Sequence, residues 1–295
     1  MSFEQTIRSS IEYSGVGLHS GMPATMRILP APAGTGIQFR RTDLDDFMIE
    51  ANGRNVAKVS YATSLMKKGV LISTTEHLLS AFIGVGLDNA FVELNALEVP
   101  ILDGSAKPIV DAILKAGLRN LRRHRTYLRV LREVEIREGD KFIAVYPADD
   151  YSVSYHIDFP PPIGEQRMEV ALTNGSYLKE IAPARTFGFL EDEKMLRNMG
   201  LIRGCSAENA VILSRTSKQI QNPPLRFEDE FVRHKVLDLI GDLALIGRQV
   251  LGRVVAERAG HAMHTALVQR LLKDPSVAEL TTHTEPAHEL QGVTD

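Results

Sequence analysis

The hydrophobic and polar positions change rhythm twice along the chain. The first third is strand-like, with short segments such as 25–29 and 36–40 punctuated by Pro23, Pro30, Pro32 and Gly34. A helix is predicted from 73 to 83, because Ser73-Thr74-Thr75-Glu76 has capping-box spacing and apolar residues follow. Residues 88–94 read as a buried strand, 100–106 as a turn and 108–117 as a short helix. The second half repeats the order: strands at 127–137, 141–147 and 151–159, a stop at 160–162, then helices at about 226–247 and 260–272. Strand-rich then helical, twice over, suggests an α+β domain in tandem, divided as 1–124 and 125–272. The internal echo, DNAFV at 88–92 against ENAVI at 208–212, is too thin to establish a repeat by itself. Residues 273–295 are polar and aperiodic and read as a frayed tail.

The second-half helix carries the most chemistry. On a helical wheel His234, Asp238, Gly241 and Leu245 share one face, with Lys235 and Asp242 on its flank. Val232, Val236, Leu239, Ile240 and Leu243 form an apolar stripe opposite. An imidazole and a carboxylate at i and i+4 can converge on one metal ion; they can equally form a local ion pair on a solvated face. Asp242 adds acidic charge one turn on, and a mid-helix Gly241 costs about 1 kcal/mol relative to Ala unless a neighbour needs its bare backbone. Glu76 and His77 lie in the first turn of the earlier helix. Glu76 is either the capping partner of Ser73 or a general base, and His77 either a half-buried histidine or a third ligand. Two His, one Asp and one free Glu meet the requirements of a hydrolytic zinc site. In GHAMH (260–264), His261 follows Gly at a helix start and could face a cleft, whereas His264 reads as a surface residue. Thr186 is a loop or strand threonine that could also serve an oxyanion.

Composition narrows these options. Of 295 residues, 44% are hydrophobic and 24% charged, which fits a soluble globular chain and excludes wholesale disorder, collagen and coiled coil. A single Cys, Cys205, rules out a disulfide framework and a multi-cysteine metal cluster. With 34 basic and 37 acidic residues the net charge is −3, which creates no global field for nucleic acid or an anionic membrane. The Arg-rich run 119–132 could form a nucleic-acid patch or a solvated linker. No secretory pattern and no run of about 18 apolar residues is present, so a cytoplasmic protein without stable membrane insertion is expected.

Seven blocks then carry a family resemblance: GVGLHSG (15–21), RRTDL (40–44), TTEHLLSAFIGVGLDN (74–89), PILDGSA (100–106), ARTFGF (184–189), RFEDEFVRHKVLDLIGDL (226–243) and GHAMH (260–264). Together, in this order, the chain resembles the UDP-3-O-acyl-N-acetylglucosamine deacetylases, zinc amidases of lipid A biosynthesis in Gram-negative bacteria. The resemblance implies two similar α+β domains, each a sheet layered with helices, with the active site at their interface. It implies zinc held by His77, His234 and Asp238, and Glu76 as the base for the attacking water. His261, held by Asp242, would be a charged partner of the intermediate, and Thr186 an oxyanion donor.

For the substrate it implies Phe159 and Asp158 at the uridine, and Lys141, Lys235 and Arg258 near the diphosphate. Phe187 and Asp192 would touch the glucosamine, Leu18 would join the substrate contacts, and an insert within 195–213 would form an apolar acyl passage. A monomer acting on a small UDP-acylglucosamine, without nucleic acid, is the expectation. Two other readings remain: a zinc hydrolase of a different acylated sugar or nucleotide, and a non-catalytic RNA- or nucleotide-binding module using the Arg run.

Overall fold

The computed structural model describes residues 2–57, 61–222 and 224–282. The first half carries β1 (Phe3–Ile7), β2 (Ile11–Val16), β3 (Pro23–Pro30), β4 (Ile37–Arg41), β5 (Phe47–Glu50), the hairpin β6 (Leu65–Lys67) and β7 (Val70–Ile72), α1 (Glu76–Val85), β8 (Ala90–Leu94), α2 (Lys107–Ala116) and β9 (Leu118–His124). Five of these strands form one sheet in the order β2-β3-β8-β4-β5, and β1 pairs with β9 beside it. In β3 the inward positions Ala24, Met26 and Ile28 are buried and alternate with less buried ones, as one covered face requires.

The second half carries β10 (Tyr127–Val130), β11 (Val134–Glu138), β12 (Lys141–Tyr146), β13 (Tyr151–Phe159), β14 (Gly164–Ala171) and the single turn α3 (Asn174–Ser176). A small sheet of β15 (Phe187–Phe189), β16 (Val211–Ser214) and β17 (Gln219–Ile220) encloses α4 (Glu193–Asn198) in sequence. Then come α5 (Glu230–Leu243), β18 (Gln249–Glu257), α6 (His261–Lys273) and β19 (Ala278–Thr281). The seven-stranded sheet is centred on β18, which pairs with β10, β12 and β13. The fold class is α+β, as expected.

Several local expectations need correction. Residues 127–137 are two strands, because β10 is held by β18 and β19 while β11 pairs with β12. The stretch from 273 is not wholly a frayed tail: β19 runs antiparallel to β10, its first residue Ala278 and the preceding Val277 are buried, and 283–295 lie outside the described residues. The capping box at Ser73 does not form. Thr75 is the N-cap without a side-chain bond, and the Glu76 carboxylate turns inward instead. The helix expected from 226 starts at Glu230, since the Arg226 N–H donates to the Glu230 carboxylate at 2.7 Å.

The α5 wheel also needs revision. Its His–Asp face is not solvated, because within α5 only Arg233 and Lys235 escape full burial. The helix is packed between α1, α6 and the sheet, and α1 is itself apolar nearly all round. Gly241 explains the close approach, since a Cβ there would meet the Glu76 carbonyl oxygen at 2.0 Å. Two turns further along α1, a Cβ on Gly84 would meet the Tyr177 ring at 2.0 Å, and the Tyr177 hydroxyl bonds Ser80 at 2.9 Å.

Candidate active site

The crossing of α1 and α5 brings together side chains 150 and more positions apart. His234 and Asp238 lie one turn apart on α5, and His77 enters from the first turn of α1. Asp238 Oδ1 is 3.3 Å from His234 Nε2 and 3.6 Å from His77 Nε2. One ligand atom from each residue falls within 4.8 Å of the others, and all three side chains are buried. His234 donates its Nδ1–H to the Ala184 carbonyl at 3.1 Å, which leaves Nε2, on the Asp238 side, with a lone pair free for a cation. Burial, the largest effect, pushes the His234 pKa down to about 4, so this imidazole is neutral and able to ligate. Asp238 keeps its charge despite its burial: Lys235 donates Nζ–H to Oδ2 at 2.6 Å, and this ammonium, with the charge of His261 behind it, holds the carboxyl well below the usual range. Two imidazoles and a carboxylate in this arrangement fit a zinc-type cation.

Glu76 and His261 stand beside this triad. Glu76 Oε2 accepts the Thr63 backbone N–H at 3.1 Å, while Oε1 lies 4.0 Å from His261 Nε2. Burial raises the Glu76 pKa to about 7, with the charge of His261 working against it. His261 donates Nδ1–H to Asp242 Oδ2 at 2.7 Å, and burial disfavours its charge, but Asp242 more than compensates and raises the pKa to about 9. The same Asp242 accepts from His264 Nδ1 at 2.8 Å and from the Thr63 hydroxyl at 2.5 Å. Burial opposes ionisation of Asp242 too, yet these partners, His261 first, bring its carboxyl down to about 2. His264 is therefore no surface residue: it is fully buried, with Nε2 3.0 Å from the Tyr155 hydroxyl.

These groups floor a cavity of about 290 Å³ whose wall includes Leu18, Phe159, Thr186, Phe187 and Lys235. Phe187 is the hub of the wall, edge-on to Phe159 at 5.5 Å, to Phe231 at 5.0 Å and to His234 at 6.3 Å. A second, more apolar cavity of about 180 Å³ continues from it, sharing Leu18, His19, Tyr61, Thr186 and Phe187. The 195–213 stretch supplies Leu196, Arg197, Ile202, Cys205, Ala210 and Ile212 to its lining.

The remaining expected substrate residues fall elsewhere. Lys141 opens β12 and Asp158 is the last residue but one of β13; both strands pair with the end of β18, just before Arg258. The strand register thus gathers Lys141, Asp158 and Arg258 at the sheet end that also bears Phe159, without placing them in the cavity lining. Arg258 is engaged there by Asp140 at 2.8 Å. Asp192 is not brought to the cavity either, since its carboxylate is gripped by Arg215 at 2.9 and 2.5 Å.

Thr63 and His19 were not singled out from sequence. His19 sits inside the GVGLHSG block, so that block held a signal; Thr63 lies in an unremarkable stretch where only the fold reveals its role. Half of the Arg run is taken up in ion pairs, Arg123 with Glu4, Arg125 with Asp88 and Arg129 with Asp149, whereas Arg119, Arg122 and Arg132 are exposed. Among the described residues no helix is long and apolar enough to cross a membrane.

Comparison with known proteins agrees with this geometry. A family model described as "LpxC: UDP-3-O-acyl N-acetylglycosamine deacetylase" matches residues 4–273. The chain belongs to that family. A protein of Solibacter usitatus (strain Ellin6076) named UDP-3-O-acyl-N-acetylglucosamine deacetylase is 54% identical over 288 residues, covering 97% of each chain. A Marinobacter nauticus (strain ATCC 700491 / DSM 11845 / VT8) protein of the same name is 42% identical over 288 residues, covering 96% of this chain and 94% of that one. The resemblance carried by the seven sequence blocks therefore extends across nearly the whole chain, and these deacetylase names make an enzyme of it.

Proposed function

We propose that this chain is a zinc-dependent amidase that removes the N-acetyl group from UDP-3-O-(3-hydroxyacyl)-N-acetylglucosamine, releasing acetate, in lipid A biosynthesis. The observation that carries the reading is the placement of Glu76 and His261 beside the His77/His234/Asp238 triad, at the floor of a cavity that runs on into an apolar passage. His77, His234 and Asp238 would hold the cation, which when bound supplies Lewis acidity and a lowered pKa for water. Other divalent ions such as Fe²⁺ or Co²⁺ suit the same donors.

The chain's own groups handle the protons. Glu76, with Oε1 free toward the cavity, takes a proton from the attacking water. The water oxygen bonds to the acetyl carbon, and negative charge on the carbonyl oxygen is met by the Thr186 hydroxyl and the positive charge of His261. Asp242 keeps His261 protonated, so the imidazolium can deliver its Nε2 proton to the leaving nitrogen as the C–N bond breaks. Products are acetate and the free amine.

Phe159 and Phe187 give the sugar and base an aromatic wall. Lys141, Asp158 and Arg258, at the same sheet end, would meet the uridine diphosphate, and Lys235 the phosphate-proximal side of the cavity. The apolar passage suits the 3-O-acyl chain. A nucleotide-activated substrate places the reaction in the cytoplasm.

Acetate release from this substrate should disappear on chelation and return with one equivalent of Zn²⁺. A folded, zinc-loaded sample that releases no acetate across several acyl lengths would refute the reading.

A further inference from the structure

Between the metal-site helix and the substrate loop lies a buried carboxylate that the mechanism does not use. Glu98 is 1% exposed. Its Oε1 accepts the His19 N–H at 2.9 Å and the Thr74 hydroxyl at 2.8 Å, and its Oε2 accepts the Ser20 N–H at 2.8 Å. None of these three donors belongs to a Lys or Arg. The backbone around Glu98 is also a tie: Ser73 N–H donates to Leu97 O and Val99 N–H to Ser73 O on one side, and Ile101 N–H donates to Val16 O on the other.

Both ends of this tie bear on the site. Thr74 has φ +59°, a left-handed backbone that a β-branched residue adopts only when its surroundings impose it. It is two residues before Glu76 and three before His77, so its conformation sets how these enter α1. The 17–20 loop carries Leu18 and His19, which line both the catalytic cavity and the apolar passage. Its outer side is bonded to the passage insert, where Arg203 N–H donates to His19 O and Gly204 N–H to Leu18 O, each at 3.0 Å. Contact there is tight, since a Cβ on Gly204 would meet Gly17 O at 2.2 Å.

We propose that Glu98 is a positioning residue that sets the apolar passage in register with the reacting centre, by holding the 17–20 loop and left-handed Thr74 on one carboxylate. It acts through Thr74 on the placement of Glu76 and His77, and through the loop on acceptance of the acyl chain. The acyl part of the inference rests on the function proposed above.

The test is Glu98→Gln in the full chain. A carboxamide has one acceptor oxygen for three donors and turns an N–H toward at least one of them. Amide hydrogen exchange at His19 and Ser20 should quicken by about tenfold or more, the order expected for losing a hydrogen bond to a buried charged group. With UDP-linked substrates of long and short acyl chain, KM for the long one should rise and the long-to-short ratio of kcat/KM should fall about tenfold. kcat should fall as well. Adding Thr74→Gly should restore kcat in part, because glycine takes the left-handed conformation without help, and should leave the acyl ratio low.

Should Glu98→Gln not fold, Gly17→Ala serves. Its Cβ would meet Glu98 Oε2 at 2.2 Å, displacing the carboxylate, and should give the same loss of acyl selectivity. Unchanged exchange at His19 and Ser20 overturns the proposal, as does a uniform loss of kcat that spares the acyl ratio and that Thr74→Gly does not relieve. If the wild-type protein releases no acetate, the proposed function fails; the exchange measurement still decides whether Glu98 holds the loop.

Discussion

The main-chain carbonyl of Glu76 occupies the space where a side chain on Gly241 would begin, 2.0 Å from the position of its Cβ. The proposed base and the proposed ligand helix are therefore set by one helix–helix contact. Gly241→Ala should force α1 and α5 apart, destabilise the protein by about 1–3 kcal/mol, and weaken metal binding along with activity. Thermal melting and a metal titration of the variant check both parts.

A pH–rate profile should be bell-shaped. The proposed base Glu76 would work only when ionised, so activity should rise as pH passes upward through its pKa, about 7 without metal. A bound cation beside it favours the carboxylate and moves that limb lower. His261, as the proposed acid, would work only when protonated, so activity should fall as pH rises through about 9. His261→Gln should lower the rate and abolish the basic limb; a variant that keeps the limb unchanged would assign it to another group.

Glu76→Gln should separate chemistry from metal binding. Glu76 is not one of the three donors within 4.8 Å of one another, so the variant should retain its metal. It should lose about 10²–10⁴ in kcat for want of the proton acceptor. Metal analysis beside the acetate assay reads both.

Asp238→Ala should do more harm than His77→Ala. Besides a proposed ligand it removes the partner of the Lys235 ammonium, which sits 2.6 Å from Asp238 Oδ2 in a mostly buried position. Leaving such a charge unpaired costs about 3–5 kcal/mol. Both variants should lose metal, but only Asp238→Ala should also show a strongly lowered melting temperature in the metal-free state.

Gly188 lines the apolar passage, and a Cβ there would meet nothing within 4 Å. Gly188→Leu should therefore fold and fill the passage instead. Rates with long-chain substrates should drop while short-chain ones are spared, as measured by kcat/KM across an acyl series.

The parts of this protein that showed in the sequence are those fixed by local periodicity. The i, i+4 pair His234 and Asp238, the helix-start His77, and the need for Gly241 all follow from helical geometry along a single segment. What escaped notice depends on contacts across the fold. Thr63 reaches Asp242, 179 positions away, and Glu98 reaches a loop 78 positions before it. His264 looked like a surface residue, yet Tyr155 and Asp242 arrive from other elements to enclose it. Propensity also misled where tertiary demands prevailed. Ser73-x-x-Glu76 has the spacing of a cap, but the Glu76 carboxylate is directed into the cavity, and Val277 and Ala278 leave the apparent tail to complete a sheet edge.

The proposed ligands have consequences for how long an ion stays. His77, His234 and Asp238 are 7%, 2% and 4% exposed, and they meet solvent through the cavity that the aromatic wall and Leu18 surround. An ion held there would exit by the route through which the sugar enters. An occupied enzyme is then a corked one, in which escape of the ion must wait for product to depart. Residence time of the metal would lengthen with turnover, so a working enzyme would resist a chelator longer than an idle one.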